Sequence, residues 1–180
     1  MLPPADPTPV SRTYYRSMKS VEMRRGRAPS TRVAATGPVS NAIIRVTRLH
    51  VLRARQLLRE IGLHPGQELL MMHLWDNGAQ RQSDLATVFD TDSASMTRSV
   101  QRLERAGFVR RQPDPTDGRA TLVEPTTASN GLREQVERMW AELETWTTAN
   151  MTSEQHNHLL AGLHQIETNL TDPAVHAPPR

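Results

Sequence analysis

The sequence predicts a mainly α-helical chain built around a winged helix-turn-helix, with a two-stranded wing and long dimerisation helices at either end. Two observations carry this. Between Arg81 and Val123 a short helical pattern, a tight turn, a second helix and a basic hairpin succeed one another. In that order one helix can enter the major groove of DNA while a hairpin lies against the neighbouring minor groove. Charge is also divided along the chain: residues 1–40 hold seven basic and two acidic side chains, whereas residues 120–180 hold three basic and eight acidic ones. A basic front and an acidic rear suit a molecule that offers one side to a polyanion and another to itself.

Composition narrows the function classes. With 180 residues, 37% apolar and 23% charged, the chain suits one domain with an appended dimerisation element. There is no cysteine, which excludes disulfides, thiolate metal ligands and cysteine nucleophiles. No apolar run is long enough to span a bilayer, and the start lacks the apolar core of a secretory signal. No membrane partner is expected, and the expected location is the cytoplasm. Lys19 is the only lysine, so positive charge is almost wholly arginine.

In chain order, residues 1–38 are rich in proline and arginine without a sustained apolar period and read as a basic, disordered tail. Residues 39–62 read as a dimerisation helix opened by Pro38-Val39-Ser40 and stopped by Gly62. Its apolar side is marked by Ile43, Val46, Leu49, Leu57, Leu58 and Ile61. Residues 63–125 form the winged helix-turn-helix. Pro65 fits the first turn of a helix that continues through QELLMMHLWD to Asn77-Gly78. Gln82 to Phe89 is the first motif helix, and Asp90-Thr91-Asp92 is the turn, with Thr91 or Asp92 placed to cap the second motif helix.

In that second helix Met96, Val100 and Leu103 stand at i, i+4 and i+7 and line up one buried stripe. The other side carries Ala94, Ser95, Arg98, Gln101, Arg102 and Arg105. Small residues permit close approach to base edges, and Arg and Gln supply donors to guanine or adenine. A solvated helix face could look the same, but it would need neither a turn before it nor a basic hairpin after it.

Gly107 ends that helix, and 108–111 and 120–123 read as the two wing strands around the tip PDPTDGR. Asp117 and Arg119, two residues apart, suggest a carboxylate holding a guanidinium extended toward the minor groove. Residues 126–171 read as two acidic amphipathic helices. Leu132, Val136, Met139, Trp140, Leu143 and Trp146 mark the first, and Leu159, Leu163, Ile166 and Leu170 the second. So long a pair has too little winged domain to cover it and calls for a second copy. Residues 172–180 read as a frayed tail.

Over about residues 40–170, by element order, the chain resembles the MarR family of bacterial transcription regulators. The residues that carry the likeness are Gln82-Ser83-Asp84-Leu85-Ala86, then Met96-Thr97-Arg98 with Val100, Arg102 and Leu103, and above all the wing, Asp114-Pro115-Thr116-Asp117-Gly118-Arg119-Ala120 with Val123-Glu124-Pro125-Thr126 after it. Two positions depart from it: Pro125 stands where the family usually has leucine, and Ser129 where it usually has glycine. The resemblance implies a six-helix winged fold, a homodimer built from the terminal helices, and binding of double-stranded DNA at a palindromic operator. Carried over position by position, Ser93, Ser95, Thr97, Arg98 and Gln101 are expected at the major groove, where Ala94 and Arg102 of the same helix face join them. Arg81, Gln82 and Ser83 are expected at phosphates, and Arg119, held by Asp117, in the minor groove.

The resemblance further implies a ligand-responsive repressor whose effector, a small aromatic anion, sits between the dimer helices and the winged domain. Arg45, Arg48, His50, His73 and Trp75 are the candidates there, against the preferred reading that His50 and Trp75 are ordinary core or interface residues. No cofactor is expected. No metal is expected either, since His156 and His158 lack a cysteine or spaced acid to complete a ligand set. No catalytic motif is present, and the chain is not expected to be an enzyme. The alternative to a regulator is a winged module that binds protein and has lost its operator.

Overall fold

The computed structural model describes residues 36–172. The tail expected over residues 1–38 lies outside the described residues except for its last three, and the end expected over 172–180 lies outside them except for Asp172.

Helix α1 (Pro38–Glu60) has a proline in its first turn, where the missing N–H would have had no intrahelical partner. It closes at Gly62, φ 73°. The N–H groups of Gly62 and Leu63 donate to the carbonyls of Arg59 (3.1 Å) and Leu58 (2.8 Å), a left-handed cap that glycine adopts without a Cβ penalty. Only part of the expected apolar side is covered. Val51, Ala54, Leu57 and Leu58 are buried, whereas Ile43, Val46 and Leu49 are exposed. The covered residues occupy the second half of the helix, which joins the winged core; the first half has no cover among the described residues.

Helix α2 (Gln67–Asn77) starts after Gly66, which is left-handed at φ 87°. Gly66 takes the cap position, so Pro65 stands in the preceding turn and not in the first turn of the helix as expected. The motif then runs through β1 (Gln80–Arg81), α3 (Gln82–Val88) and α4 (Ser93–Arg105). Asp92 caps α4, its carboxylate accepting from Ser95 N at 2.7 Å, which satisfies one of the helix's orphan donors. Met96, Val100 and Leu103 are all buried, as their spacing predicts. Gly107 closes α4 as Gly62 closes α1: Gly107 N donates to Glu104 O and Phe108 N to Leu103 O.

The wing strands are β2 (Val109–Pro113) and β3 (Thr121–Pro125), paired antiparallel from Val109 opposite Pro125 to Pro113 opposite Thr121. Each starts one residue later and ends two residues further than the expected 108–111 and 120–123, because Gln112 and Pro113 continue the ladder against Leu122 and Thr121, and Glu124 and Pro125 continue it against Arg110 and Val109. The expected two-stranded wing is part of a three-stranded sheet of order β1-β3-β2, with Gln80 and Arg81 paired to Val123 and Leu122. Two residues are too few to show an alternation in sequence.

After a 3₁₀ turn (Thr127–Ser129), α5 (Asn130–Thr147) contributes Leu132, Val136, Met139 and Leu143 to the core. Among the described residues, those up to Leu143 form one compact unit and those from Glu144 a second. In the second, α6 (Ser153–Thr171) opens on a reciprocal cap in which Thr152 and Gln155 satisfy each other's backbone N–H. None of its residues is buried, and Leu159, Leu160, Leu163 and Leu170 are exposed, as is Trp146.

Candidate nucleic-acid interface

The outward side of α4 is built by what holds its inward side. Ser93, Ala94, Arg98, Gln101, Arg102 and Arg105 are exposed; Ser95 and Thr97 are half-buried on the flanks. Arg98 Nη2 donates to Ser95 Oγ at 2.9 Å and Arg105 Nε to the Gln101 carbonyl at 3.2 Å. Among the described residues no carboxylate lies within ion-pair distance of Arg98, Arg102, Arg105 or Arg119. Arg110 and Arg111 differ: Arg110 pairs with Glu124, and Arg111 with Glu104 at 2.6 Å. The Arg111 guanidinium holds the Glu104 carboxyl below its usual range. Uncompensated positive charge therefore remains on the helix face and at the wing tip, where a polyanion would be met.

Two bonds fix α4 from beneath and from the side. Gln67, 4% exposed, accepts from His64 N at 2.8 Å and donates from Nε2 to Ser99 O at 3.3 Å, tying the start of α2 to the middle of α4. Gln82 Nε2 donates to Thr97 Oγ1 at 2.9 Å, and its amide oxygen is buried. Gln82 was expected at a phosphate. In this structure its amide bonds α4, because as the first residue of α3 it sits beside the hydroxyl of the half-buried Thr97. Ser83 remains at the surface, bonded to Asp84.

Asp114 locks the base of the wing. It is buried at 6% exposure and accepts from Thr116 Oγ1 (2.7 Å), Thr116 N (2.8 Å) and Arg81 Nε (2.6 Å). The Thr116 hydroxyl and N–H, and after them Arg81, hold its carboxyl far below the usual range despite partial desolvation. Arg81 was expected at the DNA backbone; its Nε is committed to the wing, and Nη2 reaches Thr116 Oγ1 at 3.2 Å. Asp114 was missed as a site residue, although Asp-Pro-Thr carries the signal of a carboxylate that bonds its own turn two residues on.

At the tip, Asp117 holds Arg119 differently from expectation. Its Oδ1 accepts from the backbone N–H of Arg119 at 3.1 Å, not from the guanidinium. A short carboxylate side chain two residues back reaches the main chain first, so it shapes the turn and leaves the Arg119 side chain exposed.

The five effector candidates fall in different settings. Arg45 is exposed and bonds Asn41 Oδ1; Arg48 is exposed and His50 half-buried on α1. His73 packs edge-on against Phe89 at 5.6 Å, and burial holds its imidazole below the ordinary range. The Trp75 indole donates to Ser129 Oγ at 2.9 Å, which in turn donates to Thr126 O at 2.7 Å. Ser129 is fully buried, so the residue that replaces the expected glycine serves as the partner of Trp75. A cleft of about 370 Å³ between the start of α2 and the end of α4 is lined by Leu63, His64, Gln67, Arg102, Arg105 and Phe108, among others, and by none of the five. Among the described residues no group of three His, Asp or Glu side chains could hold a metal, and no helix is long and apolar enough to cross a membrane.

Comparison with known proteins agrees with this geometry. Residues 63–121 match the model of the MarR family. A Bacillus subtilis protein named as an uncharacterized HTH-type transcriptional regulator, YybA, is 23% identical over 112 residues, covering 62% of this chain and 75% of that protein. The multiple antibiotic resistance protein MarR of Escherichia coli is 33% identical over 73 residues, 40% of this chain and 51% of that protein, so the match spans about half its length. The crystal structure of wild-type E. coli MarR in its apo form superposes with a TM-score of 0.65 at 24% identity, over 72% of this chain and 96% of that one. Members of this family are transcriptional regulators and not enzymes. Its winged helix-turn-helix, residues 63–121, is thus similar to the MarR family in sequence, and the described fold is similar to that of E. coli MarR.

Proposed function

We propose that the chain is a cytoplasmic, homodimeric repressor that occupies a palindromic operator and leaves it when a small aromatic anion binds. The observation that carries the DNA-binding part is the exposed basic face of α4, where Arg98, Arg102 and Arg105 have no acidic partner among the described residues. A face of this kind costs electrostatic self-repulsion unless a polyanion compensates it. A mutant E. coli MarR solved with operator DNA, TM-score 0.65 and 23% identical, supports the same use of the fold.

The dimer is inferred from apolar surface. Ile44, Val46, Leu49 and Leu52 of α1 are all more than half exposed, and α6 exposes its own leucine stripe. A monomer seldom leaves such surface uncovered. A twofold dimer would set two copies of α4 about one helical turn of DNA apart. An effector acting through Arg45, Arg48, His50, His73 and Trp75 need change that spacing only by a few ångströms to prevent both from docking.

Gel shifts test the proposal, using the DNA upstream of the chain's own reading frame at two salt concentrations. Binding is expected, weakening by orders of magnitude from low to physiological salt because phosphates supply much of the affinity. Benzoate, added as a simple aromatic anion, is expected to reverse it. A folded, dimeric protein that shifts no such fragment refutes the regulator reading and favours a protein-binding winged module.

A further inference from the structure

The hydroxyl of Thr97 on α4 is already engaged twice. It donates to the carbonyl of Ser93 at 2.8 Å and accepts from Gln82 Nε2 at 2.9 Å. A hydroxyl has a single proton, so Thr97 has none left for a base or phosphate. Beyond the Cα, its β-carbon bears two heavy substituents, an oxygen and a methyl, pointing apart. With the oxygen turned toward the helix's own carbonyl and toward α3, the methyl is the part of this half-exposed side chain left to meet a partner. Thr97 comes one turn after the exposed Ala94 and directly precedes the exposed Arg98, at the small-residue end of the face that approaches closest.

We propose that Thr97 is a specificity-determining residue that recognises thymine through contact of its methyl with the C5-methyl of the base, and that Gln82 is the positioning residue that keeps the methyl outward. The C5-methyl is the one apolar feature that base edges present in the major groove. A hydroxyl with no proton to give cannot donate to a base or phosphate, which leaves the methyl as the group through which Thr97 discriminates. The proposal rests on the DNA-binding reading above, and its test separates the two.

A duplex selected by the wild-type protein from a randomised pool serves as the probe, and each thymine in it is replaced singly by deoxyuridine, which lacks only the methyl. In each half-site one replacement should weaken wild-type binding about fourfold, the value of one buried methyl group. Thr97→Ser keeps both hydroxyl bonds and loses the methyl. It should bind the thymine duplex about as weakly as wild type binds the uridine one, and should be indifferent to the replacement. Gln82→Ala keeps the methyl but frees the hydroxyl to turn, and should narrow the thymine-to-uridine ratio to below about twofold; mere loss of fold would lower both affinities and leave the ratio unchanged. Thermal melting of Thr97→Ser should match wild type. A tightly bound duplex with a flat uridine scan, or a Thr97→Ser variant as methyl-sensitive as wild type, overturns this proposal alone. Failure of the wild-type protein to enrich any duplex overturns the DNA-binding reading itself.

Discussion

Replacing Glu68 with methionine should stabilise the protein, and by more at pH 8 than at pH 5. Glu68 lies in the first turn of α2 with none of its surface exposed, and neither carboxylate oxygen has a hydrogen-bond partner among the described residues. Burial pushes its pKa from 4.5 up to about 8, and the nearby backbone N–H groups of Glu68 and Gly66, which form no well-aligned bond to it, offset only part of that. In the unfolded chain the group loses its proton near 4.5, whereas the folded chain keeps it to about 8. Between these values the folded state binds more protons, so stability falls as pH rises, by at most about 1.4 kcal/mol per unit. Across the window this amounts to about 2–5 kcal/mol, the lower figure allowing for relaxation and water entry. Methionine has similar volume and no charge, so it abolishes the slope. It also removes the cost of an unpartnered buried polar group, about 1–3 kcal/mol at any pH. For a chain of this size 1 kcal/mol moves Tm by about 2–4 °C, so the gain in Tm should be larger at pH 8 than at pH 5 by about 5–15 °C. Circular dichroism melts of both proteins at several pH values, at one fixed protein concentration because association shifts Tm, give the result. Equal gains at pH 5 and pH 8 would refute the assignment of a buried, protonated Glu68.

Four further outcomes are expected. Asp92→Ala removes the cap of α4 and should lower stability in urea by about 0.5–2 kcal/mol, with weaker DNA binding because the end of the helix nearest the groove frays. Arg119→Ala should cost about 1–3 kcal/mol of operator affinity by fluorescence anisotropy, while leaving the melting temperature unchanged, since its side chain meets no acidic partner among the described residues. Leu49→Asp, in the uncovered half of α1, should give a monomer by analytical ultracentrifugation and abolish operator binding together with it. Trp75→Phe keeps an aromatic ring but withdraws the donor from the buried Ser129 hydroxyl, and should cost about 0.5–1.5 kcal/mol in chemical denaturation.

What the residues determined by themselves was whatever depends on near neighbours along the chain. Met96, Val100 and Leu103 had to share a face because helical geometry repeats every 3.6 residues, and all three are buried. Gly62 and Gly107 had to end their helices because glycine accepts a left-handed backbone cheaply, and both have positive φ. Thr91 or Asp92 was placed to cap α4, and Asp92 does so. The order of short helix, turn, helix and hairpin was likewise written in local pattern, as was the basic outward side of α4.

The tertiary structure decided every feature in which a side chain meets a partner far along the chain, since nothing in local periodicity encodes such a distance. Gln82 turns to Thr97, fifteen residues on, and Arg81 to Asp114, thirty-three on, so two residues that sequence places at phosphates also hold the helix and the wing. Trp75 meets Ser129 across fifty-four residues, which gives the departure from glycine its use. The two-residue strand β1 exists only because β3 lies beside it, and Glu68 is buried only because the core closes over the start of α2. The same holds for α1: its apolar stripe is continuous in sequence, but packing covers one half and leaves the other exposed, because hydrophobic burial depends on what surrounds a residue and not on the residue alone.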